Sequence, residues 1–439
     1  MITNENKELA QWAMEFALKN GCQASKVSLY GGSSTSFEIR NMKIDRLHRA
    51  SENSLVVQLY VDGRFGSFST NRLDKEELGK FIKDNIDATR YLAEDTARTL
   101  PDDTRYFQGG KPDLQLIDPD FDNIQPDAKK DLALNTCHEI IGKDDRIISA
   151  SASYGDEKDF KYMITSNGFE GETYASSFSL VGSVSIKGDG DARPESFWYD
   201  SALYYKDMVK EGIGTKALER ALRKLGQRKT KSGRYEMVVD NMNSSRLLSP
   251  IMDAIDGAAI QQKNSFLIDK LDQKILGDKL TLTDQPHLIQ TPGARYFDHE
   301  GVATKSMSIF DKGVLKTYFI DTYRANKMSV TPTISSASIL TMDMSNKNLE
   351  ALIADVKKGI LITGFNGGNC NSTTGDFSYG IEGFLVENGE LVQPISEMNV
   401  TGNMINLWNQ LLEVGNDPRN SSSWRIPSLH FEGIDFSGL

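Results

Sequence analysis

Cysteine and histidine are both scarce in this chain, with three of the first and five of the second among 439 residues. Cys22, Cys137 and Cys370 stand too far apart for a disulfide framework and form no paired zinc-module spacing, which fits a reducing compartment. The histidines, His48, His138, His287, His299 and His430, include no pair one helical turn apart. A helical zinc-peptidase motif needs two imidazoles at that spacing with a carboxylate between them, because only then do three side chains aim at one ion. His138-Glu139 begins such a motif, but Gly142 and Lys143 stand where a second ligand is required, and His299-Glu300 fails in the same way at Ala303 and Thr304. Both dipeptides read more simply as a partly exposed histidine beside a solvated glutamate. A Gly-x-Ser-x-Gly elbow and a Gly-Lys-Ser/Thr phosphate loop are also missing, so neither acyl transfer on that template nor nucleotide hydrolysis has a warrant.

Long apolar runs are absent as well. No stretch approaches the ~18 uninterrupted apolar residues of a membrane span. The N-terminus, Met1 to Glu8, shows no basic segment followed by an apolar one, and the expected address is the cytoplasm. Positive charge is in deficit, with 50 Lys and Arg against 61 Asp and Glu and a formal net charge of -11, which opposes a large nucleic-acid surface. The single basic run, from Arg220 through Lys224 and Lys229 to Arg234, reads as a solvated helix end and linker.

What is present reads as α+β, with antiparallel sheets and flanking helices in the N-terminal half and a strand-rich C-terminal domain holding one internal helix. Leu9, Trp12, Ala13, Phe16 and Ala17 share a helical face that Gly21 closes. Strands follow at 26–30, 36–41 and 54–61, the last joined by Asp62-Gly63 to 64–69. Asp74 with Glu77 marks the start of a second helix. A Pro- and Asp-rich connection spans 100–126, then a helix near 128–141, strands over 147–154, 160–165 and 171–186, and a helix near 214–225. A strand at 234–240 and a helix over 244–261, in which Pro250 delays the start or makes a kink, open the last region. The length supports three units, at 1–110, 111–230 and 231–439.

The most distinctive segment is the glycine-rich polar loop from Gly367 to Gly380, which runs into a strand and the tight turn Asn388-Gly389. Its Asn369, Thr374, Asp376 and Ser378 are candidates for binding a peptide or a partner, or else they satisfy the loop's own backbone. His299 and Glu300, within Asp298-His299-Glu300-Gly301, are candidates of the same kind, or else form only a turn between strands. Cys370 becomes a nucleophile only if His299 approaches it, and otherwise reads as a buried small hydrophobe. No residue is assigned a catalytic or metal-binding role.

Taken in order, Lys263 to Leu267, Asp298 to Thr304, Asp311 to Lys316, Thr374 to Ser378, Val386 to Glu390 and Val414 to Asp417 resemble the TldD/PmbA family, whose members are also called modulators of DNA gyrase, and within it the PmbA/TldE branch. The resemblance implies a metallopeptidase complex in which a TldD-like subunit carries zinc on a His-Glu-x-x-x-His helix and a later cysteine. This chain departs at both places: Ser249 to Gly257 holds no histidine, and Ser421 to Trp424 holds no cysteine. The resemblance therefore implies a cytoplasmic subunit without its own cofactor, paired with a TldD-like zinc peptidase, that acts on a peptide substrate; apart from the resemblance, symmetric self-association is the common fallback for a surface without its hetero-partner, so a homodimer in isolation is a possible assembly. Two alternatives stand beside it: an independent hydrolase with a site assembled from distant residues, and a non-enzymatic regulatory binding protein.

Overall fold

A computed structural model describes residues 2–439. Helix α1 (Asn4–Lys19) begins at a capping box on Thr3 and buries Ala10, Ala13, Met14 and Ala17. Strands β1 (Ala24–Arg40), β2 (Lys43–Val61) and β3 (Arg64–Thr70) follow, then α2 (Lys75–Thr89), capped by Asp74. After the long connection come α3 (Pro126–His138), β4 (Ile147–Thr165), β5 (Glu170–Ile186), β6 (Glu195–Ala202) and α4 (Ile213–Leu222). All six strands form one antiparallel sheet in the order β3-β2-β1-β4-β5-β6, so the sheet is continuous across residue 110.

Two separate cores lie on this sheet. Val27 and Leu29 of β1 pack with α1 and α2, whereas Phe37 and Ile39 of the same strand pack with α3 and α4. These odd-numbered positions share one face. Between them stand Gly31, Ser33 and Thr35, which bring no large apolar side chain to either core. A Cβ on Gly31 would lie 2.4 Å from the ring of Phe160, so the glycine leaves room for the aromatic side chain of β4. The pairs of strands expected at 26–30 with 36–41 and at 147–154 with 160–165 are thus single strands, β1 and β4, held through their polar middles by neighbours on both sides.

The C-terminal region opens with β7 (Gly233–Val239), α5 (Ser245–Ala254) and α6 (Gly257–Gln261). The helical stretch from 244 to 261 is broken at Asp256, which leaves the helix to cap α6 by accepting from the Ala258 N–H at 2.8 Å. Gly257 N donates to Phe319 O at 2.7 Å, a backbone approach only glycine allows. Pro250 sits inside α5, which ends one turn later at Ala254. Strands β8 (Leu282–Asp284), β9 (Met307–Asp311), β10 (Val314–Leu315) and β11 (Leu340–Met342) follow, with α7 (Thr322–Met328) and α8 (Leu349–Ala354). The chain ends with β12 (Lys358–Phe365), β13 (Asn369–Cys370), β14 (Asp376–Glu387), β15 (Glu390–Asn403), α9 (Met404–Asn409), β16 (Leu411–Val414), β17 (Trp424–Arg425) and β18 (Leu429–Ser437).

The larger sheet here runs β12-β7-β18-β15-β14-β13, and β12 also pairs with β14, which closes the path on itself. A second sheet, β10-β9-β8-β11-β17, and α5 pack against it around a core that includes Trp408, Phe310 and Phe431. The fold is therefore α+β with a strand-rich C-terminal half, and it carries α7, α8 and α9 as further short helices. No helix among the described residues is long and apolar enough to cross a membrane.

The basic run is not simply solvated. Lys224 donates to Glu382 Oε1 at 2.7 Å and to the Glu195 carbonyl at 2.7 Å. Arg220 donates to the Thr363 carbonyl at 3.3 Å and lies 4.0 Å from buried Asp240. These two cations tie α4 to the C-terminal strands.

Candidate functional site

The glycine-rich segment forms a short hairpin, with Asn369 opposite Ser378 and Cys370 opposite Phe377. Asn371 Oδ1 accepts from Thr373 N and Thr374 N, at 2.9 and 3.3 Å, and so organises the turn. Thr374 Oγ1 donates to Asp376 Oδ2 at 2.8 Å, and Asn403 Nδ2 donates to Asp376 Oδ1 at 3.0 Å. Those two bonds hold the Asp376 carboxyl below its usual range. Thr374 and Asp376 thus spend hydrogen-bonding capacity on the loop itself. Gly368, at a φ of 84°, lets the hairpin close on Ser378, since a Cβ there would lie 2.0 Å from the Ser378 carbonyl.

This hairpin faces α5. Arg246, in the first turn of α5, donates to the Gly368 carbonyl at 3.0 Å and stacks its guanidinium 4.8 Å from the centre of the Tyr379 ring. Ser249, one turn on, donates to Asp253 Oδ2 at 3.5 Å. Arg246, Ser249, Phe365, Gly367, Ser422 and Trp424 surround an open cleft of about 650 Å³. The two places where the sequence departs from a zinc-binding pattern, the α5 helix and the segment 421–424, therefore meet at one cleft.

The residues there do not fit a zinc ion. Zinc takes imidazole, thiolate or carboxylate ligands, most often four. Here α5 offers a guanidinium, a hydroxyl and the carboxyl of Asp253, which partial burial holds above its usual range. Asp256 points away to cap α6. Cys370 sits at the hairpin with its thiol pushed up to about 11, by burial first and then by Asp376 and Asp253. A thiol so placed is protonated near neutral pH and is a poor nucleophile or ligand.

His299 and Glu300 lie elsewhere, at the joint between the N-terminal sheet and the C-terminal region. Asp298 is buried, its Oδ1 accepting from Glu300 N and Val302 N and its Oδ2 from Ser335 N. Glu300 Oε2 accepts from Thr322, and burial pushes its carboxyl up to about 6. Lys26 of β1 donates to the His299 carbonyl. His299 stands at the surface, but desolvation of its imidazole against the joint, helped by the Lys26 and Lys161 ammonium groups, holds it below its usual range. The acidic oxygens of this segment are turned onto backbone amides rather than towards a common ion. Tyr106, Phe169 and Phe297 complete the joint with a buried aromatic cluster. Glu139 likewise is no solvated partner of His138, since its carboxylate accepts from Gly212 N and Gly214 N, each at 2.7 Å, and caps α4.

The residues at the cleft that sequence reasoning missed are Arg246, Phe365 and Trp424. A signal exists for the first: Asn243-Ser244-Ser245-Arg246 is a polar stretch just before the apolar stripe of α5, one turn ahead of the segment Ser249 to Gly257.

Three family models match the chain: PmbA/TldA metallopeptidase domain 1 over residues 26–89, the central domain over 119–225 and the C-terminal domain over 232–438. The chain belongs to the PmbA/TldD family. A metalloprotease PmbA homolog of Haemophilus influenzae is 27% identical over 440 residues, spanning 99% of this chain and 96% of the relative. A crystal structure from Bacteroides thetaiotaomicron, described as that of a candidate modulator of DNA gyrase, is 65% identical with a TM-score of 0.99 over the whole of both chains. TldE from Thermococcus kodakarensis shares the fold, with a TM-score of 0.85 at 18% identity over 98% of this chain and 100% of that one.

Proposed function

We propose that this chain is the subunit of a TldD/TldE-type zinc metallopeptidase that engages peptide while a TldD-like partner carries the zinc, the heterodimer acting in proteolysis or maturation of peptides in the cytoplasm. The observation that carries this reading is the side-chain set on α5, where Arg246 and Ser249 face a cleft whose donors do not suit zinc. The metalloprotease name of the Haemophilus relative supports the peptidase class. In this reading the hairpin bearing Asn369, Thr374, Asp376 and Ser378 forms one wall of the peptide-holding surface, opposite α5. His299 and Glu300 set the angle between the two halves of the chain.

The test is peptide cleavage and zinc content measured on this chain alone, on a TldD-like subunit alone and on the mixture. Zinc confined to the TldD-like subunit, with cleavage that rises on mixing, is the expected result. Zinc-dependent cleavage by this chain alone, or no effect of mixing, overturns the proposal.

A further inference from the structure

The α5 cleft holds one cation, Arg246, and its position is fixed from two sides. One N–H is bound by the Gly368 carbonyl at 3.0 Å, and the guanidinium plane rests by the Tyr379 ring at 4.8 Å. Among the described residues no carboxylate forms an ion pair with it, so its charge and most of its five donors remain free. A neutral carbonyl and a ring quadrupole orient a guanidinium without neutralising it.

The surroundings narrow what this charge meets. Phe365 and Trp424 supply flat apolar walls, while the Ser249 hydroxyl donates to Asp253 and the Ser422 hydroxyl accepts from Trp424 N, so that Ser249 keeps acceptor capacity and Ser422 its O–H donor. Gly367, with φ of 79° and open space where a Cβ would be, leaves the rim unobstructed. Two turns along α5 stands Asp253, on the same helical stripe and ~10 Å from Arg246 at a rise of ~1.5 Å per residue. A single cation with a carboxyl group further along suits a monoanion and disfavours a dianion such as phosphate. The planar fork of a guanidinium matches a carboxylate in two parallel hydrogen bonds.

We propose that this cleft binds the free C-terminal carboxylate of a short peptide through Arg246, with an apolar side chain of the peptide against Trp424 and Phe365. The inference rests on the peptide-holding reading above and names the end of the peptide that is held. It assigns Arg246 as a binding residue with no part in bond cleavage.

The experiment uses the full chain alone, without any peptidase partner, titrated calorimetrically with Ala-Ala-Phe as the free acid, with the same peptide carrying a C-terminal amide, and with acetyl-Asp-Ala-Phe-amide, whose only carboxylate is a side chain. Loss of a charge-assisted bond corresponds to about tenfold or more in affinity. The free acid is expected to bind at least about tenfold tighter than either amide. Arg246→Ala should bring the acid down to the level of the amide, and Arg246→Lys should recover part of the difference, with unfolding temperatures showing that both variants fold. Equal binding of acid and amides, no binding of any peptide, tighter binding of the side-chain carboxylate, or an unchanged preference in Arg246→Ala overturns the proposal. Because the readout is direct binding, it fails or succeeds separately from any effect of the chain on a partner's cleavage rate.

Discussion

Oε2 of Glu300 accepts from both the backbone N–H and the hydroxyl of Thr322, at 3.1 and 3.0 Å. One carboxyl oxygen thereby fixes the turn that meets β1 to the first residue of α7. The same carboxyl is pushed up to about 6, from an ordinary 4.5, chiefly by burial.

A carboxyl whose folded value lies above its unfolded one contributes stability that is full below about 4.5 and lost as pH rises through about 6. Glu300→Gln cannot ionise and lacks this dependence. The melting temperature of the variant relative to the native chain should therefore climb across that window and level off above it. The whole change amounts to up to about 2 kcal/mol. A difference that does not vary with pH would show that the Glu300 carboxyl titrates normally.

The Lys224–Glu382 pair joins the turn that follows α4 to β14 at 2.7 Å, with side chains only 18% and 20% exposed. Breaking a pair this far from solvent leaves one charge without its partner. Lys224→Met and Glu382→Gln should each lower the unfolding free energy by about 1–3 kcal/mol, and the double variant should show coupling of at least about 0.5 kcal/mol. Single changes below about 0.5 kcal/mol in denaturant titrations would mean that water screens the pair.

Asn371 organises the hairpin from within through its bonds to Thr373 N and Thr374 N. Asn371→Ala should raise amide exchange over residues 371–376 by about fivefold, the equivalent of one lost hydrogen bond of ~1 kcal/mol. The melting temperature should fall by less than about 4 °C. Unchanged exchange in the hairpin would assign its order instead to Asn403 and to Asn264, whose Oδ1 accepts from the hydroxyls of Ser372 and Thr373 at 2.9 and 2.6 Å.

Gly313 and Gly226 both have positive φ, at 78° and 71°, but their surroundings differ. A Cβ at Gly313 would lie 1.8 Å from the Leu276 carbonyl, whereas nothing lies within 4 Å of one at Gly226. Gly226→Ala should cost only the conformational ~1–2 kcal/mol, and Gly313→Ala clearly more. Equal losses in chemical denaturation would mean that the backbone around Leu276 yields.

Local chemistry was legible where a few residues decide the outcome. Asp62-Gly63 and Asn388-Gly389 make their turns with positive φ at all four positions. Asp74 caps α2 as its spacing with Glu77 suggests. Elements fixed by distant partners were not legible. Gly31 to Thr35 resembles a break between two strands, and only pairing with β2 and β4 makes it part of one. Likewise α5 and α6 read as one helix, because the Phe319 carbonyl that holds Gly257 comes from more than sixty residues downstream. At the cleft, the missing histidines and cysteine were visible in the sequence. That Arg246 and Trp424 stand beside those positions depends on how the sheet that holds β7 meets the sheet that holds β17, which no local pattern encodes.

The continuous six-stranded sheet sets an order of events during synthesis. Lys26 of β1 pairs with Thr165 of β4, and Arg40 pairs with Ser151. While the ribosome is still making the connection and α3, β1 has β2 on one side and nothing on the other. For that interval the nascent chain presents an open strand edge seventeen residues long. The polar middle of β1, with Gly31, Gly32, Ser33, Ser34 and Thr35, gives that edge little apolar surface with which to capture another chain before β4 arrives.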